Sequence, residues 1–207
     1  FTLVADGELG RQNQPFYTTS ERDYHAFSTR ADYRQPRFRL AAQARSYVNA
    51  NSTNLFRHSA RGHAYTFDAS YTPSARFSVD AGYQQLSTLT LTSLAYFVNF
   101  QRIDADSSRF QSRVHAAHLG LRLAPTRSFD LFTGLALTRD NANALSGFTA
   151  AQAFPLRFVS PQFRASYRVH EKLRFNAGWQ LYDYAERLSL LQDYRAHTGF
   201  LSMLWSF

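Results

Sequence analysis

The sequence predicts an all-β chain whose roughly ten antiparallel strands build a transmembrane β-barrel. Three observations carry that expectation. Apolar residues recur at every second position, and the helical period of 3.6 is nearly absent. Short turns alternate strictly with long, mostly polar connections. The last stretch, GFLSMLWSF, is itself an alternating strand finishing on an aromatic residue, whereas chain ends are ordinarily polar and frayed.

Composition narrows the class. The 207 residues suffice for a single domain, 1–207, and the absence of cysteine rules out a disulfide framework and thiolate metal sites. The formal charge is +8, and Lys172 is the only lysine, so the positive charge is almost all arginine. These arginines are spread along the chain without a five-residue basic run, which argues against nucleic acid as a partner. Phe and Tyr are abundant, 19 and 12, yet mean hydropathy is −0.39. No window approaches the roughly 18 consecutive apolar residues of a membrane helix. Barrel strands alternate lipid-facing and lumen-facing residues and so keep a low mean hydropathy. With no initiating Met and no signal-peptide pattern at Phe1, a mature product or a fragment is expected.

The elements follow in order. Residues 2–11 form the least regular strand, with Gly7, Gly10, Asp6 and Glu8. Residues 22–34 come next. In 37–48, Phe38, Leu40, Ala42, Ala44 and Val48 oppose Arg37, Arg39, Gln43, Arg45 and Tyr47. In 62–72, Tyr65, Phe67, Ala69 and Tyr71 alternate with Thr66, Asp68 and Ser70. In 75–87, Phe77, Val79, Ala81 and Tyr83 alternate with Ser78, Asp80, Gly82 and Gln84. The same pattern runs through 109–123, 128–139, 157–169, 172–186 and 194–207. Each run reaches the ~9–11 residues that a tilted strand needs to cross a bilayer.

Short turns fall at RQPR (34–37), TPSA (72–75), APTRS (124–128) and VHEK (169–172). Long connections are expected at 12–20, 50–60, 88–108, 140–156 and 187–192. The tight turns match the periplasmic ends of such barrels and the long connections their extracellular loops, with both chain ends periplasmic for an even strand count. Around each short turn the sequence repeats: aromatic or Leu, turn, basic residue, Phe, alternation. Phe38, Phe77, Phe129 and Phe175 therefore stand just inside the turns, where an interfacial aromatic girdle belongs. In a soluble sandwich the same residues would be core aromatics.

The ending GFLSMLWSF resembles the C-terminal signal strand of Gram-negative outer-membrane β-barrels, with Leu201, Met203, Trp205 and Phe207 matching and Gly199 a weak match. The resemblance implies recognition by the barrel-assembly machinery through strand-edge pairing and a place in the bacterial outer membrane. The Arg- and Tyr-rich strands and the ending YRAHTGFLSMLWSF also resemble the C-terminal part of large porin-like barrels, and more remotely sheath porins of multihaem cytochromes. That implies a C-terminal segment of a larger barrel. No CxxCH motif is present, so no haem or other cofactor is expected.

The face opposite the lipid would carry Arg30, Asp32, Arg39, Arg45, Asp68, Asp80, Arg122, Asp130, Arg164, Arg168 and Arg174, together with His118 and Gln180. An arginine facing lipid at mid-membrane costs about 2–4 kcal/mol, which drives these residues to the lumen. They would line an anion-favouring or amphoteric channel, or fill a salt-bridged interior that only stabilises. His58, Ser59, His63, Asp104 and Asp106 fall in or beside expected outer loops, without diagnostic spacing for a nucleophile and base. His115 and His118 face opposite sides and cannot share a metal, and His115 and His197 belong to the outer face. The apolar stretch 88–108 extends a strand, constricts the lumen or binds a partner. Arg57, Arg61, Arg109 and Arg139 are ordinary loop charge or hold lipopolysaccharide phosphates.

The expected function is a passive pore, or a transport or sheath component, with an Arg-rich lumen and no enzymatic activity. Its expected partners are outer-membrane lipid, lipopolysaccharide, the barrel-assembly machinery and another outer-membrane or periplasmic protein. Alternatives are a non-conducting structural barrel that binds a partner through its loops, and an outer-membrane hydrolase.

Overall fold

The computed structural model describes residues 1–12, 22–52, 57–146, 149–186 and 193–206. Ten strands form one antiparallel sheet in chain order: β1 (Thr2–Arg11), β2 (Asp23–Arg34), β3 (Phe38–Ser52), β4 (Arg57–Ser74), β5 (Phe77–Val98), β6 (Gln101–Leu123), β7 (Phe129–Ser146), β8 (Thr149–His170), β9 (Leu173–Glu186) and β10 (Tyr194–Trp205). The ten strands do not close on themselves. Among the described residues β1 pairs only with β2 and β10 only with β9, leaving two free edges.

The pairing is strongly staggered. One cross-strand row runs Phe38, Tyr71, Val79, Leu121, Thr133, Phe163, Trp179, Gly199. It starts at the first residue of β3 and arrives at mid-strand in β10. Such a stagger inclines the strands to the direction in which the row runs, as tilted strands do.

Burial is inverted relative to a water-soluble sheet. The buried side chains include Asn49, Asn51, His58, Ser112 and Ser160, and Ala142 is the one buried apolar residue among those described. All of them share one face by register. The other face displays Phe67, Tyr71, Leu119, Leu121, Phe163, Trp179, Leu201 and Met203 to the surroundings. The two faces are called polar and apolar below.

Three of the four short turns form where the sequence places them, and the one expected at 72–75 closes at Ala75–Arg76, because β4 runs to Ser74. Gln35 and Phe38 exchange both backbone hydrogen bonds (2.7 and 3.3 Å) across Pro36–Arg37. The residue before each following strand then gives its carbonyl to the next hairpin: Thr72 N to Arg37 O, Ala124 N to Arg76 O, Arg168 N to Ser128 O and Ser206 N to Lys172 O, at 2.7–2.9 Å. This shared bond is the structural content of the sequence repeat.

The long connections differ from expectation. Residues 88–108 are not a loop: they continue β5 and begin β6, which meet at a two-residue turn, Asn99–Phe100. Likewise β7 and β8 consume most of 140–156, and β3 and β4 extend into 50–60. Most of 12–20, all of 187–192 and Phe207 lie outside the described residues. Strands run long because their ladder hydrogen bonds are made between neighbours and need no apolar face, so pairing continues beyond the apolar band. Pro161 lies inside β8 without an N–H to donate. The β8–β9 ladder has no paired residues at Ser160 and Pro161, and Gln180 Nε2 donates to Ser160 Oγ at 2.9 Å across this gap.

Asn99 and Phe100 both have positive φ, 48° and 64°, as a type I′ hairpin turn demands. Asn tolerates that region, whereas a bulky Phe is strained there. Phe100 is also fully exposed, so its ring contributes no packing. The Phe100→Gly variant is expected to stabilise the β5–β6 tip by about 1 kcal/mol, measured as slower amide exchange on Leu91, Arg109 and Phe110.

Candidate functional site

The polar face is the candidate site. The register puts all eleven charged residues named above on it, contributed by β2 through β9. One row reads Asp32, Ala41, Asp68, Gly82, His118, Ala136, Ser160.

Local pairing organises this charge into clusters. Arg30 grips Asp32 on the same strand, Nε to Oδ2 at 2.7 Å and Nη2 to Oδ1 at 3.1 Å, because residues two apart share a face. Arg39 approaches the same carboxylate from β3 at 3.8 Å. Arg122 holds Asp130 across the β6–β7 hairpin, its Nε 3.1 and 2.9 Å from the two oxygens. Arg45 reaches Glu8 of β1 at 3.7 Å and donates to the Tyr24 hydroxyl at 3.1 Å. The small Ala26, opposite both Glu8 and Tyr47, leaves the space for that reach. Arg164 bonds Gln162 Oε1 at 3.3 Å. Arg168 and Arg174 stand directly opposite one another, and Arg174 Nε is buried without a hydrogen-bond partner among the described residues. A groove of about 420 Å³ opens beside these two arginines, with Lys172 and Glu171 on its rim.

Side chains on this face lie flat over glycines. A Cβ at Gly82 would collide with the His118 ring and the Asp68 carboxylate, and one at Gly62 with the Tyr47 ring. The face thus gains a layer of polar and aromatic groups that substitution would push out. Ser112 donates to Asp140 at 2.9 Å, and Ser166, Asn176 and Ser202 form a chain with bonds of 2.6 and 3.2 Å. Toward the long-strand end, aromatics join the polar face: Phe158 and Tyr182 at 6.3 Å, and Tyr184 stacked on Tyr194 at 5.3 Å. These aromatics, with Glu8 and Tyr24, were not among the residues singled out from sequence. Their even-numbered parity, shared with Asp130 and Arg174, is the signal that finds them.

The apolar face carries the remaining candidates. Phe38, Phe77, Phe129 and Phe175 all stand on it at the turn end, and Phe129 meets Tyr167 edge-on at 6.4 Å. Leu201, Met203 and Trp205 lie on it in β10, opposite Ala177, Phe175 and Leu173. Phe207 lies outside the described residues. His115 is on this face and His118 on the polar one.

His58, Ser59 and His63 are not in a loop but in β4. Ser59 and His63 are four residues apart on one face, about 13 Å along the strand, too far for a nucleophile and its base. His58 is on the opposite face, where Nδ1 bonds Thr92 Oγ1 at 2.8 Å. Burial beyond the apolar band holds its imidazole below the ordinary histidine value.

No family model and no curated protein matches the chain. A solved structure shares the fold. BauA, the ferric preacinetobactin receptor from Acinetobacter baumannii, superposes with a TM-score of 0.58 at 9% identity, over 87% of this chain. The chain spans 37% of the length of that receptor. The toluene transporters TbuX of Ralstonia pickettii and TodX of Pseudomonas putida align over 97% and 98% of this chain at 12% identity. Their TM-scores of 0.39 and 0.36 are too low to equate the folds.

The Arg122–Asp130 pair joins two strands with several hydrogen bonds, while the arginine remains more than half exposed. A double-mutant cycle with Arg122→Ala and Asp130→Ala, read by urea unfolding in detergent, is expected to give a coupling of about 0.5–1 kcal/mol. Arg164→Ala, which removes a single hydrogen bond from the guanidinium to an uncharged amide, is expected to cost less.

Proposed function

We propose that this chain is the wall of an outer-membrane β-barrel with a transport role, its polar face lining the aqueous interior. The observation that carries the reading is the inverted burial. From Tyr33 to Phe27 on β2, Phe129 to Leu137 on β7 and Leu173 to Leu181 on β9, the apolar face bears no charged side chain. The band is about nine residues tall along β7 and β9, close to what a tilted strand needs to cross hydrocarbon. Water would not tolerate so continuous an exposed apolar surface on a soluble protein. The arginines of the opposite face then supply the lumen with fixed positive charge, and Asp32, Asp68, Asp80 and Asp130 balance part of it. The free edges at β1 and β10 must be paired inside a bilayer, because hydrocarbon offers no hydrogen bonds. Further strands completing a larger barrel would meet that requirement, and the match to part of a longer receptor supports it.

A non-conducting barrel is the second reading. The Arg30–Asp32–Arg39 and Arg122–Asp130 clusters favour it, since paired side chains can fill an interior as well as line a channel. Interaction with the barrel-assembly machinery through Leu201, Met203, Trp205 and Phe207 belongs to both readings. No catalytic role is proposed.

Two measurements test the proposal. The chain has no cysteine, so single-cysteine variants report one position each. Reconstituted in vesicles, Gln84→Cys on the polar face is expected to react with a water-soluble maleimide, and Leu119→Cys on the apolar face to stay unreacted. Equal labelling of both would refute the lipid-facing band. Planar-bilayer recordings then separate the two readings: discrete conductance steps, reduced in anion preference by Arg39→Gln with Arg122→Gln, are expected of a pore.

A further inference from the structure

Above its charge-free band the apolar face ends in a row of basic side chains. His115, Arg139 and Arg157 stand directly opposite one another across β6, β7 and β8. Neighbouring strands are about 4.8 Å apart, so the three groups sit within roughly 10 Å. Like charges so opposed are destabilising unless something negative joins them. The protein supplies little. Arg139 Nε donates to the neutral Asn141 Oδ1 at 3.3 Å. Asp183, on the neighbouring strand, is held by Arg195 at 2.6 Å, and Arg157 adds only a longer-range attraction to it. Among the described residues, three arginines and a histidine thus meet one carboxylate.

What lies beneath the row narrows the ligand. Two residues toward the turns, Ala117, Leu137 and Val159 form the next row on the same face. Tyr83 stands opposite Ala117, and its hydroxyl is 2.6 Å from His115 Nδ1. Together these residues line a groove of about 320 Å³ with the cations at one end and hydrocarbon side chains along the rest. A free anion would use only the cationic end. A lipid with a single negative charge would leave most of the row uncompensated.

We infer that His115, Arg139 and Arg157 form a docking site for a membrane lipid of the lipopolysaccharide class, whose phosphates meet the row while an acyl chain lies over Ala117, Leu137 and Val159. The inference rests on the proposed lipid-facing band and adds the lipid partner and the residues that hold it. Arg139 and Arg157 are exposed and reach outward, and His115 is half-buried with its ring fixed by Tyr83.

The test uses the whole chain in neutral detergent, titrated with fluorescent lipopolysaccharide. Arg139→Gln combined with Arg157→Gln is expected to weaken binding about thirtyfold, on the scale of two lost cation contacts at a lipid surface. Enzymatically dephosphorylated lipopolysaccharide should bind the unaltered chain as weakly. Arg139→Lys with Arg157→Lys should retain most of the affinity, and Arg164→Gln with Arg168→Gln on the polar face all of it. Unchanged affinity in the glutamine variant, or equal binding of the dephosphorylated lipid, would overturn the site. So would full competition by millimolar inorganic phosphate or an acidic peptide, which would make it a general anion site. Failure of the lipid-facing band would show separately, as labelling of Leu119→Cys, so the two outcomes are distinguishable.

Discussion

Backbone pairing in a medium that offers no hydrogen bonds is the constraint on which the proposed architecture depends. A strand placed in hydrocarbon must find partners for its N–H and C=O groups on both sides. β2 through β9 each have two such neighbours, which frees their side chains to sort by face without regard to backbone satisfaction. The consequence is a protein without an apolar core. Among the described residues its buried positions are Asn, Ser, His and Gly with a single Ala, and large aromatics of the apolar face such as Phe67, Phe163 and Trp179 are exposed. The stability that a soluble sheet draws from apolar packing would come here from the lipid on one side and from side-chain hydrogen bonding on the other. The flat-lying Tyr47, His118 and Asp68 over Gly62 and Gly82 show how closely that polar layer is fitted.

Much of this was legible in the chain. Period-2 alternation placed all ten strands, β1 at its observed bounds, and turn-favouring residues placed three of the four tight turns. It also assigned the polar-face charges to one side, because register carries parity from strand to strand: Asp68 opposite Gly82 opposite His118 needs only correct turns between them. What escaped was the length of the strands. The stretch TLTLTSL keeps strand alternation through Thr88, Thr90 and Thr92, while Leu89 and Leu91 give it the look of an apolar loop. The turn beyond it has no glycine. A type I′ turn built on Asn99–Phe100 offers a sequence reader only half of the usual signal.

Pairings between strands were also hidden. Arg45 bonding Glu8 requires a small residue on the intervening strand, and Asp183 pairing with Arg195 requires the β9–β10 register. Neither follows from spacing along one strand. The opposition of Arg139 to Arg157 is of the same kind: 18 positions separate them in sequence, and only the β7–β8 ladder brings them together.

The sheet is not of even height. β5 and β6, with 22 and 23 residues, rise well past β1 and β10, with 10 and 12. Beyond Thr92 on β5 and Arg109 on β6 the two strands pair, among the described residues, only with each other. A two-stranded ribbon twists more strongly than a broad sheet and is marginally stable alone. The summit is therefore compliant where the base is stiff, and in the proposed barrel it would stand as an adaptable awning over one flank of the wall.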